Sequence, residues 1–292
     1  FNEISIKEVK RYLKDRSINS ISCGIVCYET TPAELENLIR SLQVSIRRLH
    51  TIQPEVSLII CVIDNSARES NLRSVCEESI QTEETENVEI RYTGGHGNIG
   101  YGAAQNLAIS SVNSDLHLIL NPDVVVKEDA LVEGVEAFLS YPSLVMLSPS
   151  AENKKGEKQF LCKRSPTVLT LFIRGFLPKF FKGFFRERLD FYEMRDLSET
   201  KLTEGIPLIG GCFMLSDTRV LKSIGGFDES YFLYFEDFDL SIRVASLGTL
   251  AYSPNVQIIH FGGNAGKKSL FHIGHFIKSG LRFFNKHGWR CW

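Results

Sequence analysis

The run Val56-Ser-Leu-Ile-Ile-Cys-Val-Ile63, with the polar residues Asp64-Asn-Ser66 directly behind it, decides the fold class of this chain. A nearly continuous apolar run of this length is typical of a strand that is buried on both faces of a parallel sheet. Further strand patterns occur at 21–28, 88–92 and 116–120. Helix patterns lie between them. Such alternation predicts an α/β fold with a Rossmann-like, mostly parallel central sheet flanked by helices.

The helix patterns have recognisable limits. The segment 32–49 places Leu35, Leu38 and Leu42 on one face, and Thr30 or Thr31 can cap it. We predict further helices at 69–80, 100–112, 127–139 and 238–247, and a strand at 256–259 that ends at His260. Residues 151–205 show no clean alternation and carry a dense aromatic and basic stretch at 171–186, so we expect an insertion there.

Composition excludes several classes of protein. Of the 292 residues, 43% are hydrophobic and 23% are charged, so neither intrinsic disorder nor a coiled coil fits. The net charge of −2 lacks the basic excess with which proteins displace counterions from nucleic acids, and we expect no nucleic-acid partner. The seven cysteines are scattered and residues 1–20 contain no apolar leader, which predicts a cytoplasmic location.

Three polar clusters follow predicted strands, and each has a structural and a functional interpretation. They are Asp64-Asn-Ser66, the glycine-rich segment Gly94–Gly102 and Asn121-Pro-Asp123. In open α/β sheets, ligands bind at the carboxyl ends of the strands. Asp64 can contact a nucleobase or cap the next helix, and Asp123 can bind Mg²⁺ beside a diphosphate or form a turn. The glycine-rich segment either admits a diphosphate at a helix N-terminus or is a flexible turn.

A fourth cluster, Tyr231-Phe-Leu-Tyr-Phe-Glu-Asp-Phe-Asp-Leu240, places three acids among aromatic residues just before a predicted helix. Acids at a helix N-terminus are often simple caps. Alternatively, a carboxylate held in an apolar pocket acts as a general base. His260 is likewise either structural or a ligand, because it ends a strand ahead of Gly262-Gly263.

The motifs that carry a resemblance to a known family occur in a fixed order: Asp64-Asn-Ser66, Gly97-Asn-x-Gly100, Asn121-Pro-Asp-Val124, Gly210-Gly-Cys-Phe-Met-Leu215, Gly225–Leu240 and His260. This order resembles that of the family 2 inverting glycosyltransferases, which have a GT-A fold. The likeness is closest to the bacterial rhamnosyltransferases that build O-antigen, part of lipopolysaccharide, and related surface polysaccharides. It covers roughly residues 20–265.

The resemblance implies a role for each matching residue. Asp237 is the expected catalytic base, with Glu236 beside it, and Asp64 is expected to contact the base of the nucleotide sugar, with Tyr28 at its flank. Asp123 and His260 are the expected ligands of Mg²⁺ or Mn²⁺. The remaining residues expected to bind the nucleotide sugar are Asn65, Gly97, Asn98, Gly100, Asn121, Gly210 and Gly211.

One departure from the family pattern points to the donor. Many members have two or three acids where this chain has Asn121-Pro-Asp123, with a single carboxylate. The Asn-Pro-Asp form looks like that of the branch that transfers deoxysugars, which favours L-rhamnose from dTDP-rhamnose. The implied acceptor is a glycan or a polyprenyl-diphosphate-linked sugar. The alternatives are a UDP-sugar donor (galactofuranose or GlcNAc) and a catalytically silent glycan-binding domain.

The predicted organisation has three parts. Residues 1–19 form a helical extension, and 20–265 form the glycosyltransferase domain. Within that domain, 20–125 bind the nucleotide sugar, 206–265 provide the acceptor and catalytic half, and 160–200 are either a core-packing or a membrane-facing insertion. Residues 266–292 form an amphipathic, aromatic and basic helical tail. The two aromatic-basic segments predict peripheral contact with the inner face of the cytoplasmic membrane.

Overall fold

A central sheet organises the chain in the computed structural model, which describes residues 17–66, 70–81, 87–262 and 270–292. Its main path runs in the order β3-β2-β1-β4-β11-β6-β12-β5. These strands are β1 (Ser20–Cys27), β2 (Ser57–Asp64), β3 (Val88–Thr93), β4 (Leu116–Leu120), β5 (Val124–Val126), β6 (Leu144–Glu152), β11 (Phe213–Asp217) and β12 (Thr249–His260). Short strands complete the set: β7 (Lys158–Gln159), β8 (Cys162–Lys163), β9 (Thr203–Glu204) and β10 (Leu208–Ile209).

The predicted parallel strands are confirmed in the first half of the chain. β3, β2, β1 and β4 are mutually parallel neighbours, and their limits differ from the predicted ones by one residue at most. The second half adds antiparallel pairs, because β11 runs against both β4 and β6, and β12 runs against β5. The sequence did not predict β6, since Pro149 within it reads as a break in a strand pattern.

Helices cover the sheet on both faces. They are α1 (Pro32–His50), α2 (Leu72–Gln81), α3 (Tyr101–Ser111), α4 (Ala130–Ser140), α5 (Val168–Phe176), α6 (Lys179–Lys182), α7 (Arg186–Tyr192), α8 (Thr218–Ser223), α9 (Glu236–Ala245) and α10 (Leu270–His287). Thr31, one of two predicted caps, begins α1, where its hydroxyl accepts the Glu34 N–H at 3.3 Å and the Glu34 carboxylate accepts the Thr31 N–H at 2.8 Å. This reciprocal capping satisfies two otherwise unpaired amides.

A separate aromatic cluster joins the second half of the chain. Its buried members come from the insertion, from the segment before α9 and from α10: Leu171, Tyr192, Tyr231, Phe235, Phe283 and Phe284. The aromatic-basic segments are therefore helical and partly buried. Among the described residues, no helix combines the length and the apolar character needed to cross a bilayer.

Two parts of the predicted organisation cannot be compared with the structure. The N-terminal extension lies outside the described residues up to position 16, and the predicted boundary between 265 and 266 falls in 263–269, which also lies outside them.

Candidate active site

The carboxyl ends of three neighbouring strands bring the predicted nucleotide-binding residues to one edge of the sheet. Cys27 of β1 pairs with Asp64 of β2, and Ile25 pairs with Leu120 of β4. Tyr28 therefore lies beside Asp64, where 51% of its surface is exposed. An exposed aromatic ring at this edge provides a stacking surface for a planar ligand.

The Asp64 carboxylate is buried and held by three donors. One oxygen accepts the Ser66 N–H at 2.9 Å, and the other accepts the hydroxyls of Tyr92, at 2.8 Å, and Ser70. Burial raises the pKa of Asp64, but these hydrogen bonds outweigh it and lower the pKa below its ordinary value. Asp64 is thus a fixed, ionised acceptor at the edge of the sheet.

The backbone of the glycine-rich segment closely contacts the backbone of the segment 231–240, which carries the three acids. Gly100 has a φ of +91°, and a Cβ there would lie 2.8 Å from the Phe232 carbonyl oxygen. The Asn65 amide donates to the Gly100 carbonyl at 3.1 Å, and the Asn98 side chain accepts the Gly100 N–H at 3.0 Å. Any side chain at Gly100 would therefore push the two segments apart.

Tyr101, the first residue of α3, connects the two halves of the site. Its hydroxyl lies 3.0 Å from Asn121 Oδ1 and 3.1 Å from the Gly211 carbonyl oxygen. The Gly211 N–H in turn donates to Asp237 Oδ2 at 3.0 Å. A chain of hydrogen bonds thus runs from the end of β4 to the predicted catalytic base.

Glu236 and Asp237 form a coupled acid pair at the start of α9. Glu236 is 7% exposed, and its Oε2 has no hydrogen-bond partner among the described residues. Burial raises the pKa of both carboxyls, and the charge of Asp237 raises that of Glu236 further. The amides of Gly211 and Phe238 donate to Asp237 and oppose the rise in its pKa. The two donating amides stabilise the charged form of Asp237, so Asp237 is the member of the pair better suited to accept a proton.

Asp123 and His260 come together at the β4–β5 edge. His260 ends β12 opposite Val124, and its Nε2 lies 3.4 Å from Asp123 Oδ2. Gln159 accepts from His260 Nδ1 at 2.7 Å, and its own amide donates to the His260 carbonyl at 3.0 Å. With the proton on Nδ1, the Nε2 lone pair faces a carboxylate, so the two acceptors require a proton or a cation between them.

The structure thus assembles three groups of the predicted residues, although their roles remain predictions. The groups are Tyr28 with Asp64, Asp123 with His260, and the network that contains Asn65, Asn98, Gly100, Asn121, Gly211 and Asp237. Gly97, Gly210 and Glu236 are neighbours of these residues in the chain. Gly97 has a φ of +69° in the loop, and Gly210 donates to the Leu161 carbonyl at 2.9 Å.

Sequence reasoning missed four contributors: Ser70, Tyr92, Tyr101 and Gln159. Only Tyr101 carried a signal, because it interrupts the glycine-rich segment.

Comparison with known proteins agrees with this architecture. The model of glycosyl transferase family 2 matches residues 22–212. An N-acetylglucosaminyl-diphospho-decaprenol L-rhamnosyltransferase of Mycobacterium tuberculosis is 26% identical over 220 residues, covering 70% of this chain and 69% of the relative. The rhamnosyltransferase WbbL of Escherichia coli K12 is 26% identical over 181 residues, covering 56% of this chain and 61% of that protein.

Two solved structures share the fold at low sequence identity. The structure of GalNAc-T7 with UDP, GalNAc and Mn²⁺ has a TM-score of 0.64 and 15% identity, covering 93% of this chain and 48% of that one. The mannosyltransferase PcManGT from Pyrobaculum calidifontis, in complex with GDP-Man and Mn²⁺, has a TM-score of 0.59 and 16% identity, covering 95% of this chain and 70% of that one. Together with the family match, these likenesses show that the chain belongs to glycosyl transferase family 2 and is a glycosyltransferase with the GT-A fold.

Proposed function

We propose that this glycosyltransferase moves L-rhamnose from dTDP-L-rhamnose, with inversion, onto a sugar linked through diphosphate to a polyprenyl lipid. The observation that carries the reaction type is the Asp237 carboxylate, which two backbone amides hold at the start of α9 beside a buried acid. The Mycobacterium tuberculosis and Escherichia coli relatives are rhamnosyltransferases, which supports rhamnose as the transferred sugar. The single acid in Asn121-Pro-Asp123 agrees with that choice.

The proposed chemistry is one displacement. Asp237 removes the proton from an acceptor hydroxyl, and the oxygen attacks the anomeric carbon on the face opposite the nucleotide. The bond from that carbon to the diphosphate breaks, and the electron pair leaves with the nucleoside diphosphate. The new bond forms on the opposite face, so the anomeric configuration inverts. Asp64 and Tyr28 bind the base, and the segment around Gly100 lets the backbone approach the diphosphate.

Asp123 and His260 fit a divalent cation. Their facing lone pairs, at 3.4 Å, repel each other unless a positive group lies between them. Among the described residues no cluster of three or more His, Cys, Asp or Glu can hold a metal, so the donor diphosphate is expected to supply the other ligands. When bound, Mg²⁺ or Mn²⁺ would neutralise charge on the leaving diphosphate.

We predict that Gln159→Leu weakens Mn²⁺ binding by about 10–100-fold, the usual effect of losing a residue that orients a metal-binding histidine. Without Gln159, His260 is free to place its proton on Nε2 and to turn its ring. Titration of Mn²⁺ in the presence of dTDP, followed by electron paramagnetic resonance, measures the change. Gln257→Leu is the control, because Gln257 is an exposed residue of β12, the strand that ends at His260. Equal Mn²⁺ affinity in the Gln159 variant and the wild type would contradict the assignment.

The test of the proposed function is a donor panel. The full chain is incubated with Mg²⁺, a GlcNAc-diphospho-polyprenyl acceptor and, in parallel, dTDP-rhamnose, UDP-GlcNAc and UDP-galactofuranose. We expect acceptor-dependent release of dTDP, and NMR of the product should show the inverted anomer. Activity with a UDP-sugar alone would refute the donor, and retention of configuration would refute the mechanism. Silence with every donor would favour a glycan-binding role.

We also propose that the protein contacts the cytoplasmic face of the inner membrane through its aromatic insertion. The side chains of Phe180 and Phe184 are 79% and 78% exposed, and basic residues such as Lys182 and Arg186 lie among them. Exposed aromatic rings beside cations suit the interface of an anionic bilayer.

We predict that the double variant Phe180→Ser/Phe184→Ser partitions onto anionic liposomes at least about tenfold less than the wild type, because it lacks the two exposed rings that are expected to enter the bilayer. Co-sedimentation with phosphatidylglycerol vesicles measures the partitioning. Ile52→Ser/Leu139→Ser removes two exposed apolar side chains elsewhere and serves as the control. If both double variants bind like the wild type, the insertion is not the membrane contact.

A further inference from the structure

An apolar groove runs between α5 of the insertion and α10. Its more enclosed part has a volume of about 330 Å³ and is lined by Leu171, Arg174, Phe176, Tyr234, Ile273 and Phe276, among others. A second part, of about 180 Å³, shares Leu171, Phe176 and Phe276 with the first and extends to Trp289. The two parts therefore form one continuous channel for an elongated apolar group.

The segment that leads into the acid pair also lines the groove. Tyr234, which lines it, lies two residues before Glu236 in the chain. Arg174 lines the same part of the groove, and its positive charge lowers the pKa of Asp237. A molecule that fills the groove thus contacts the segment that carries the acid pair.

Arg174 also belongs to a positively charged depression of about 410 Å³ next to the groove. The depression is lined by four cations (Arg174, Lys182, Arg186 and Arg195) and by two carboxylates, Asp190 and Glu193. Arg174 lies 3.7 Å from the nearest Glu193 oxygen, a looser pairing than the 2.7 Å between Arg195 and Glu193. The excess of positive charge is complementary to an anion at the end of the groove.

Two buried polar side chains near Asp237 have hydrogen-bonding capacity to spare. Tyr192 is 3% exposed, and its hydroxyl has no partner among the described residues, although the charges of Arg174 and Asp237 both act on it. Lys163 is 6% exposed, and burial lowers its pKa to about 8. Its ammonium donates to the Phe160 carbonyl and lies 5.8 Å from the centre of the Tyr192 ring. Buried donors of this kind usually have partners, so a ligand is expected to supply them.

We propose that this groove binds the isoprenoid chain of a lipid diphosphate acceptor and that Arg174 binds its diphosphate, with Tyr192 and Lys163 facing the sugar–diphosphate portion. This inference rests on the proposed function and assigns the acceptor to a site. The parts of the site suit the parts of the ligand, since the apolar groove and the cationic depression meet at Arg174, which lines both. A sugar joined to the diphosphate thereby presents a hydroxyl to the base.

The first test measures binding without any transfer reaction. Farnesyl diphosphate is titrated calorimetrically into the full chain, into Arg174→Gln and into Ile273→Ser, with Arg40→Gln and Leu139→Ser as matched controls on exposed positions elsewhere. We expect Arg174→Gln and Ile273→Ser each to raise the Kd about tenfold or more, and the controls to bind like the wild type. Absence of binding to the wild type, or binding by both groove variants that is as tight as that of the wild type, would overturn the proposal. Inorganic diphosphate binding as tightly as farnesyl diphosphate would also overturn it, because the apolar groove would then contribute nothing.

A second test uses transfer and separates the two proposals. The acceptors are GlcNAc diphosphate esterified with a farnesyl chain and the same compound with a methyl group. Arg174→Gln should raise KM for both acceptors, and Ile273→Ser should raise it for the farnesyl ester alone. Unchanged KM values in both variants would refute the acceptor site while leaving the glycosyltransferase activity intact. A wild type that moves no sugar, but still binds farnesyl diphosphate in the pattern described, would refute the proposed function and support the site.

Discussion

Asp237→Asn is expected to lower kcat by about 10²–10⁴-fold, the usual contribution of a general base. The substitution keeps the shape of the side chain and removes its ability to take the proton of the acceptor hydroxyl. The amide oxygen of the new side chain can still accept the Gly211 N–H, so the local backbone is expected to stay in place. Transfer is measured as release of the nucleoside diphosphate, and binding of dTDP to the same variant, measured by calorimetry, should be unchanged. Near-normal turnover in a folded variant would show that another group is the base.

Glu236→Gln is the matched control for this substitution, because Glu236 does not act as the base in the proposed mechanism. It should retain far more activity than Asp237→Asn. The pH profile provides a further check. Burial raises the pKa of Asp237, and the base works only when ionised, so kcat should fall as the pH drops through a value above the ordinary aspartate pKa of about 3.9. If kcat fell only at a pH equal to or below the ordinary aspartate pKa, the result would contradict a buried environment for Asp237.

Asp239→Asn is expected to destabilise the fold by about 3 kcal/mol, near the lower end of the range for breaking a buried ion pair, because its partners reach water. Asp239 is fully buried and contacts two cations, Arg243 at 2.7 Å and Lys286 at 2.7 Å, and the His287 ring at 2.8 Å. Arg243 also donates to the carbonyls of Ile224 and Gly226. Loss of this one carboxylate therefore loosens α10 and the glycine turn before α9 together.

Urea unfolding of the full chain measures this change, and Asp196→Asn, which removes an exposed carboxylate paired with Arg164, is the control. Burial opposes ionisation of Asp239, but its cationic partners outweigh it and lower its pKa. Its stabilising contribution is therefore present above the unfolded pKa and is lost as the pH falls through the folded one. The difference between the wild type and Asp239→Asn should shrink in acid. A constant difference at all pH values would mean that packing, rather than charge, is lost.

The sequence could predict the strand-end residues but not the contacts that position them. Asp64 and Asn121 follow buried strands, and the topology of a parallel sheet brings such residues to one edge. Gln159 carries no local signal, because its contact with His260 depends on the pairing of the two-residue strand β7 with β6. The three acids at 236–239 look alike in the sequence. They differ in the structure because α10, far along the chain, supplies cations to Asp239, whereas burial and backbone amides dominate the surroundings of the other two.

Two successive residues before α9, Tyr234 and Phe235, have φ values of +70° and +66°. Left-handed backbone costs about 1–2 kcal/mol for each residue with a side chain, and it persists only where the surroundings enforce it. Here the enforcing contacts are the Phe235 ring packed at 5.2 Å and 5.3 Å, centre to centre, from Phe276 and Phe283 of α10. The last helix therefore stabilises the strained backbone that positions Asp237. Substitution of Phe283, which does not line the proposed acceptor groove, can therefore alter turnover without changing any group that meets the substrate.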